Sequence, residues 1–225
     1  MYRERASVFP GAVVWENAAA VDGDVLPDGC MDLIWMNDEV VVAGPDTRPF
    51  RATGVVGRPI VGMRFAPGAL PVLLGVHAEE IANHRVALAD VLSGRAGREL
   101  RGRILDSGAP ARTLEAFAAE LRAGIEPDPR VAVMAAAAAR GAAVGDVADA
   151  VGVGERQLRR LARRNFGYGP RMLARILRLQ AALRISAGGV PAAEVAAAAG
   201  YADQAHLIRE SRELAGRTFG ALVSG

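Results

Sequence analysis

Residues 146–164 read DVADAVGVGERQLRRLARR, and residues 194–213 follow the same plan as EVAAAAGYADQAHLIRESRE. Each stretch predicts a short helix, a turn and a second helix. This is the plan of a helix-turn-helix, in which the second helix enters the major groove of DNA. Two copies on one chain predict a reader of two adjacent segments of double-stranded DNA.

Alanine and glycine stand at the positions that such a pair of helices requires. Ala148 and Ala196 lie at the centre of the first helix of each pair, where only a methyl group fits between crossing helices. Gly152 and Gly200 end these helices, because glycine adopts the left-handed backbone conformation at little cost. Between the units, residues 171–186 predict a helix of about 24 Å. Because successive major-groove faces of B-DNA lie about 34 Å apart, a rigid spacer of this kind suits a two-site reader.

Charge divides the chain in a similar way. Positions 1–140 hold 15 arginines against 18 acidic residues, whereas positions 141–225 hold 12 arginines against 7 acidic residues. Such an asymmetry indicates an anionic partner for the C-terminal part. The chain has arginine but no lysine, and arginine contacts guanine and phosphate in a bidentate manner. A GC-rich coding sequence is an alternative explanation for the missing lysines, but it does not explain where the basic excess lies.

The N-terminal part predicts a small antiparallel sheet followed by helices. Four runs of β-branched or aromatic residues, separated by turn formers, are typical of strands: 13–15, 31–36, 40–42 and 60–65. Four later segments have helical apolar spacing: 67–75, 78–83, 88–106 and 111–123. The segment 124–129 contains two prolines and a glycine and predicts a linker. Asp128 is expected to cap a helix that runs to Arg140.

The predicted fold class is therefore α+β: a small N-terminal antiparallel β domain followed by helices, then an all-α C-terminal domain with two helix-turn-helix units joined by a long helix. The predicted boundary separates a sensing or dimerisation domain at 1–124 from a DNA-binding domain at 125–225. One cysteine excludes an internal disulfide, the three histidines lack metal-ligand spacing, and no cofactor is predicted. The apolar stretches are too short to span a bilayer, so we expect a cytoplasmic protein without a membrane partner.

The segments GYGP at 167–170 and AAGYADQAHL at 198–207, together with the two helix-turn-helix units, resemble the AraC/XylS family of bacterial transcription regulators. The similar region covers roughly 130–223. The segment LPDGCMDLIW at 26–35 looks like the N-terminal domain of one AraC-like branch. The resemblance implies a sequence-specific DNA-binding regulator, not an enzyme. It also implies that the N-terminal domain senses a small-molecule effector or pairs two chains into a homodimer.

The resemblance further implies which residues face the bases. On the first recognition helix they are Arg156, Gln157, Arg159 and Arg160, with Arg163 on the same arginine-rich helix; on the second they are Gln204, Ala205, His206 and Arg209. Glutamine is suited to adenine and arginine to guanine. Exposed arginines can instead form a merely solvated helix face, and His206 can be an ordinary surface residue. Arg171, Arg175 and Arg178 are expected to contact phosphate or acidic neighbours rather than bases.

The chain departs from the family pattern at several positions. Phenylalanine is common where Ala162 and Ser211 stand, and a neutral or basic residue where Glu213 stands. Loss of a buried aromatic side chain costs about 3–5 kcal/mol if nothing refills the space. Asp203 is in the helix-capping position, whereas Gly154 replaces the usual serine. These departures support an alternative, an interaction or dimerisation protein whose degenerate helix-turn-helix pair no longer binds DNA. An enzyme fused to a DNA-binding unit is a further alternative, but the sequence shows no catalytic frame.

Five side chains of the N-terminal part are candidates for an effector pocket: Trp15, Cys30, Trp35, Met63 and Phe65. Aromatic side chains on short strands usually face inward, so core packing is the competing interpretation. Cys30 follows a Pro-Asp-Gly turn and is either a ligand contact or redox sensor, or a plain buried thiol.

Overall fold

The computed structural model describes residues 2–18, 23–52 and 59–224. Its first part is built on an antiparallel sheet in which six strands lie in the order β1-β2-β7-β4-β5-β8, while β3 pairs with β6 apart from it. The strands are β1 (Tyr2–Ala6), β2 (Ala12–Asn17), β3 (Gly23–Val25), β4 (Met31–Met36), β5 (Glu39–Ala43), β6 (Phe50–Ala52), β7 (Ile60–Phe65) and β8 (Arg85–Ala87). The four predicted strands are confirmed as β2, β4, β5 and β7. The edge strand β1 escaped prediction because its sequence, YRERA, is polar and fully exposed.

Side chains alternate between the two faces of this sheet, as the pleat requires. Val14, Leu33 and Met63 point to one face, where they are 1% exposed or less. Helices cover that face and complete a hydrophobic core. They are α1 (Ala69–Leu74), α2 (Leu88–Val91), α3 (Gly94–Ser107) and α4 (Pro110–Arg122), with a 3-10 turn at Ala78–Glu80 between α1 and β8.

The continuous helix predicted over 88–106 is wrong, because the structure divides it into α2 and α3. The backbone of Leu92 is extended, and the Ser93 side chain accepts a hydrogen bond from Ala96 N, which starts a new helix. Ser93 is a good N-cap residue, so its local capping preference overrides the apolar spacing that runs through the segment.

The C-terminal part contains only helices among its described residues: α5 (Pro129–Ala139), α6 (Val144–Ala150), α7 (Glu155–Phe166), α8 (Pro170–Ser186), α9 (Ala192–Ala198), α10 (Gln204–Ala215) and α11 (Phe219–Val223). The two helix-turn-helix units are α6–α7 and α9–α10, and α8 is the long helix between them, so the predicted fold class is confirmed. Ala148 and Ala196 are buried in the core. Gly152 and Gly200 have φ of 67° and 80°, the left-handed conformation that the sequence predicts.

The two hydrophobic cores meet where α7 ends. There α7 packs against α1 and against the 3-10 turn. Gly68 permits this approach, since a β-carbon at that position would lie 2.5 Å from Val131 Cγ1 and 2.8 Å from Phe166 Cε1. A larger residue at this position would force these side chains to shift.

A second contact joins the loop before β4 to the long helix. Gln180 Nε2 donates a hydrogen bond to Pro27 O at 2.7 Å. A β-carbon on Gly29 would lie 3.3 Å from Leu177 Cδ2 and 3.6 Å from Leu173 Cδ1, so this loop lies directly on α8. The N-terminal part thus contacts both α7 and α8. Among the residues that the structure describes, none of these helices has the length and apolar character needed to cross a membrane.

Candidate DNA interface and ligand cavity

The first recognition helix, α7, has one apolar and one basic side. Leu158, Ala162 and Phe166 are 1% exposed or less and fix the helix to the core. All five predicted DNA-contacting residues of this helix are exposed to solvent: Arg156, Gln157, Arg159, Arg160 and Arg163. A helix whose buried stripe is held this firmly presents its opposite face in a fixed orientation.

Most of the α7 arginines have no acidic partner among the described side chains. Arg159 forms an exposed ion pair with Glu155, with Arg159 Nη2 3.2 Å from Glu155 Oε2. Arg156, Arg160 and Arg163 form neither an ion pair nor a side-chain hydrogen bond within the part of the chain that the structure describes. Their guanidinium groups therefore remain available to phosphates and base edges.

The second recognition helix, α10, presents fewer free cations. Gln204, Ala205 and Arg209 are exposed as predicted. His206 is only half-exposed, because its ring packs edge-on against Tyr201 at 5.1 Å between ring centroids. Its Nε2 atom lies 4.0 Å from Glu210 Oε2. The histidine is thus engaged within the protein, which favours the structural interpretation over direct base contact.

Glu210 forms the centre of an ion-pair cluster that joins α10 to α8. Its carboxylate is 5% exposed and accepts hydrogen bonds from Arg175 Nε at 2.9 Å and from Arg178 Nη2 at 3.0 Å. Glu213 also accepts from Arg175. Of the two alternatives predicted for these arginines, phosphate or acidic neighbours, the structure shows acidic neighbours. The sequence carried a signal for this cluster, since Glu210 lies at helical spacing among the buried residues Leu207 and Leu214.

Ala162 and Ser211, the positions where an aromatic residue was expected, are both fully buried. Ser211 Oγ donates a hydrogen bond to Leu207 O at 2.7 Å, so its hydroxyl is satisfied within the helix. The caps follow the sequence as well. Asp203 accepts from His206 N at 2.6 Å, whereas Gly154 caps α7 without a side-chain bond.

The second feature is a cavity of about 560 Å³ on the sheet face opposite the helices. Its walls come from β2, β4, β5 and β7 on one side and from β3 and β6 on the other. Volumes of this size are typical of pockets that enclose a small organic molecule.

The candidate effector residues divide between the two faces of the sheet. Trp15 and Cys30 line the cavity. Met63 and Phe65 are fully buried on the helix-covered face, and Trp35 packs against the same core. The structure therefore shows core packing, and not an effector contact, for these three side chains. The cavity also has polar lining residues that were not predicted from the sequence: Asp28, Asp32, Asp46, Arg64 and Arg85. Their alternation with buried residues was the available signal, since Arg64 stands between Met63 and Phe65.

Trp15 is held in the cavity wall by three contacts. Its indole lies over Gly62, where a β-carbon would come within 2.1 Å of the ring. Trp15 Nε1 donates a hydrogen bond to Asp32 Oδ1 at 2.7 Å. Tyr2 stacks on the indole with ring centroids 6.1 Å apart. A flat aromatic surface is thereby fixed next to a carboxylate.

Charged groups form two clusters in the cavity. Arg64 Nε lies 3.3 Å from Asp28 Oδ2 and 3.6 Å from Asp32 Oδ1. Arg85 forms a bidentate pair with Asp46, at 3.0 and 2.6 Å, and its guanidinium lies 3.9 Å from the centroid of the Phe50 ring.

The cavity environment also determines the protonation state of the Cys30 thiol. Burial raises the pKa of the Cys30 thiol far above its ordinary value, and the neighbouring Asp28 and Asp32 carboxylates raise it further. The thiol therefore stays protonated at neutral pH. This state favours the buried-thiol interpretation over a reactive redox sensor, because the thiolate is the reactive form.

Two family models match the chain. Residues 147–224 match a model described as a helix-turn-helix domain, and residues 12–87 match one described as a domain of unknown function, DUF6597. The sequence matches no curated protein.

The fold as a whole is similar to solved structures of ToxT from Vibrio cholerae. ToxT from strain O395 is 7% identical, with a TM-score of 0.51 over 95% of this chain and 96% of that chain. A second ToxT structure is 8% identical, with a TM-score of 0.52 over 99% and 98%. A third, bound to (E)-4-(8-methylnaphthalen-1-yl)but-3-enoic acid, is 9% identical, with a TM-score of 0.50 over 99% and 98%.

At such identities the likeness to ToxT establishes the fold alone. The matched domains establish that the chain joins a helix-turn-helix domain, a DNA-binding unit, to a DUF6597 domain.

Proposed function

We propose that this regulator reads DNA principally with α7 and uses α10 as a weaker reader of the adjacent major-groove segment. The observation that carries the proposal is the exposed face of Arg156, Arg160 and Arg163, which no acidic side chain of the described chain neutralises. Arginine contacts to base edges would supply specificity and contacts to phosphate would supply affinity. The remaining predicted contacts are Gln157, Arg159, Gln204, Ala205, His206 and Arg209.

Selection of bound sequences from random DNA, followed by band-shift titration on the selected site, tests this proposal. The logarithm of the binding constant should fall with the logarithm of salt concentration with a slope of about −0.9 for each phosphate neutralised. Arg160→Ala should weaken binding, whereas Arg95→Ala, which removes an equally exposed arginine of α3, should not. A flat salt response, or equal effects of both substitutions, would contradict the proposal.

Reading of two segments is a separate part of the proposal. The 17 residues of α8 span about 26 Å and link the two units as a rigid rod. We expect the selected site to contain two short conserved blocks about one helical turn apart. Insertion of five base pairs between the blocks should reduce affinity to that of a single block. If the insertion has no effect, only one unit contacts DNA.

We also propose that residues 125–225 recognise DNA, whereas residues 1–124 bind the ligand and mediate self-association. The fragment 125–225 should retain the DNA preference, and the fragment 1–124 should retain ligand binding and self-association into a homodimer. Light scattering of each fragment and of the full chain measures the self-association. A folded fragment 125–225 without any DNA preference would contradict this division.

The cavity supports a role for a small-molecule effector. The neighbouring structure of ToxT holds an organic acid, which makes ligand binding a reasonable expectation for a related fold. In this chain Asp28 and Cys30 line the cavity, and Gly29 between them lies against α8. A ligand that moves this loop would therefore press on the long helix between the two DNA-reading units.

The alternative, an interaction protein with a degenerate helix-turn-helix pair, is favoured by one observation. Glu210 and Glu213 form ion pairs with arginines of α8 and add negative charge to α10. Under this alternative the full chain would show no preference among DNA sequences, while the homodimer would persist. The same band-shift and light-scattering measurements separate the two functions.

A further inference from the structure

The cavity walls combine apolar surface with an excess of carboxylates. Ile34, Met36, Val41 and Ile60 provide aliphatic surface, and Trp15 provides a fixed aromatic face. The charged lining residues are five acids and two arginines: Asp24, Asp28, Asp32, Glu39 and Asp46 against Arg64 and Arg85.

Both arginines of the lining are already neutralised by protein groups. Arg85 donates two hydrogen bonds to Asp46 and lies on the Phe50 ring. The Arg64 charge is paired with Asp28 and Asp32, and its Nη1 atom donates to Glu4, whereas its Nε atom has no hydrogen-bond partner among the described residues. An organic anion that entered the cavity would meet no unpaired cation on the described walls and would have to displace an existing ion pair, which is costly.

The carboxylates of the cavity, by contrast, can accept further hydrogen bonds. Asp32 Oδ1 accepts the Trp15 indole hydrogen bond, but Asp32 Oδ2 accepts no hydrogen bond from any described residue. The side chain is 16% exposed and faces the cavity. Burial raises the pKa of Asp32 to about 6, and the nearby Asp28 adds to this effect. A second positive charge beside this pair would stabilise both carboxylates.

An independent observation concerns a buried hydroxyl close to two of the lining carboxylates, Asp28 and Asp46. Tyr168, the residue that follows α7 and Gly167, is 7% exposed, and its hydroxyl has no hydrogen-bond partner in the described chain. Burial raises the pKa of the Tyr168 hydroxyl, and the charges of Asp28 and Asp46 raise it further. A buried hydroxyl without a partner is costly, so a polar group beside these carboxylates remains unsatisfied.

We propose that the cavity binds an organic cation, a protonated amine carried on an aromatic or aliphatic body. The ammonium group donates to Asp32 Oδ2 and lies near Asp28, and the body packs against the Trp15 indole and the aliphatic wall. Carboxylates and an aromatic face together are the usual means of holding an ammonium group. The inference rests on the proposed role of this cavity as the effector site and specifies the class of ligand.

Calorimetric titration of the full chain at pH 7.5 tests the inference with three probes of equal size. They are 1-naphthylmethylamine, 1-naphthalenemethanol and 1-naphthoate, which are respectively cationic, neutral and anionic. We expect the amine to bind about tenfold or more tightly than the alcohol, because a hydrogen bond to a charged group exceeds one to a neutral group. The naphthoate should bind more weakly than either.

Matched substitutions locate the effect. Asp32→Asn should remove the preference for the amine over the alcohol, and Asp28→Asn should reduce it. Asp90→Asn, the same change at an exposed position of α2 outside the cavity, should leave the preference unchanged. Thermal unfolding of each variant shows whether it folds. If Asp32→Asn does not fold, the comparison of the three probes on the wild-type chain still tests the ligand class.

A preference for naphthoate, equal binding of all three probes, or no binding of any probe at millimolar concentration would overturn the inference. The band shift of the ligand-free chain is measured separately. If DNA binding persists while the amine preference is absent, the ligand class is wrong and the DNA-binding proposal stands. If the amine binds as expected but no DNA is preferred, the proposed function fails and the cavity assignment remains.

Discussion

The two recognition helices share a backbone plan and differ in what surrounds them. Each has 12 residues, follows a glycine-terminated helix and is fixed by buried apolar side chains. Among the residues that the structure describes, the exposed arginines of α7 are largely unpaired, whereas Glu210 of α10 points inward and binds two arginines of α8. We therefore expect the side chains left free of internal partners, and not the helix-turn-helix frame alone, to determine how well each helix reads DNA.

The largest expected effect is a loss of stability when the Glu210 ion-pair cluster of the second unit is broken. Glu210→Ala leaves Arg175 and Arg178 without their buried partner and should lower the free energy of unfolding by about 2–3 kcal/mol. Glu213→Ala is the control, because that exposed pair should contribute less than about 1 kcal/mol. Urea unfolding measures both. Equal effects would show that the buried cluster does not hold α10.

The next effect concerns base reading by the first unit. Arg160→Ala should weaken binding to the selected site by about 1–3 kcal/mol and relax the choice of base at one position. The unfolding free energy should change little, since Arg160 is exposed and forms no hydrogen bond or ion pair with another described side chain. Titrations on the selected site and on scrambled DNA measure the difference. A uniform loss on both DNAs would assign Arg160 to phosphate instead.

A smaller effect is expected from the corresponding change in the second unit. Arg209→Ala should cost less than about 1 kcal/mol on the selected site, because the acidic residues beside it weaken its attraction to DNA. The paired titrations used for Arg160→Ala measure it. Should Arg209→Ala prove the more damaging substitution, the second unit is the principal reader and the ranking of the two helices is reversed.

The smallest effect should come from exchanging the helix caps. Gly154→Asp would give α7 the side-chain cap that Asp203 provides to α10, and it should raise the free energy of unfolding by about a few tenths of a kcal/mol. Asp203→Gly should lower it by a similar amount. Thermal unfolding of the two single variants and of the double variant measures these changes. A loss of stability in Gly154→Asp would mean that its carboxylate does not reach the free backbone amides of α7.

The sequence predicted the helix-turn-helix frame because its determinants are local. Glycine at the end of α6 and α9, alanine at their centres and Asp203 as a cap each act within a few residues of their position. The ion-pair cluster of α10 could not be predicted in the same way, because Arg175 and Glu210 are 35 residues apart. Their contact exists only once α8 and α10 have packed together.

The cavity was predicted only in part for a similar reason. Strand alternation shows that Trp15 and Val14 face opposite sides of a sheet, but it does not show which side the helices cover. Large apolar side chains on strands therefore made Met63 and Phe65 candidates as much as Trp15. The helices α1 to α4 determine which face of the sheet is the core and which lines the cavity, and their placement depends on tertiary packing.

The two tryptophans of the chain lie on opposite faces of the same sheet, with Trp15 in the cavity wall and Trp35 against the core. This arrangement makes the protein its own spectroscopic reporter. In a Trp35→Phe variant all indole fluorescence would come from the cavity, where Trp15 Nε1 is bonded to Asp32. In a Trp15→Phe variant it would come from the core. Occupation of the cavity and loosening of the sheet domain can thus be followed separately in one protein, without an attached dye.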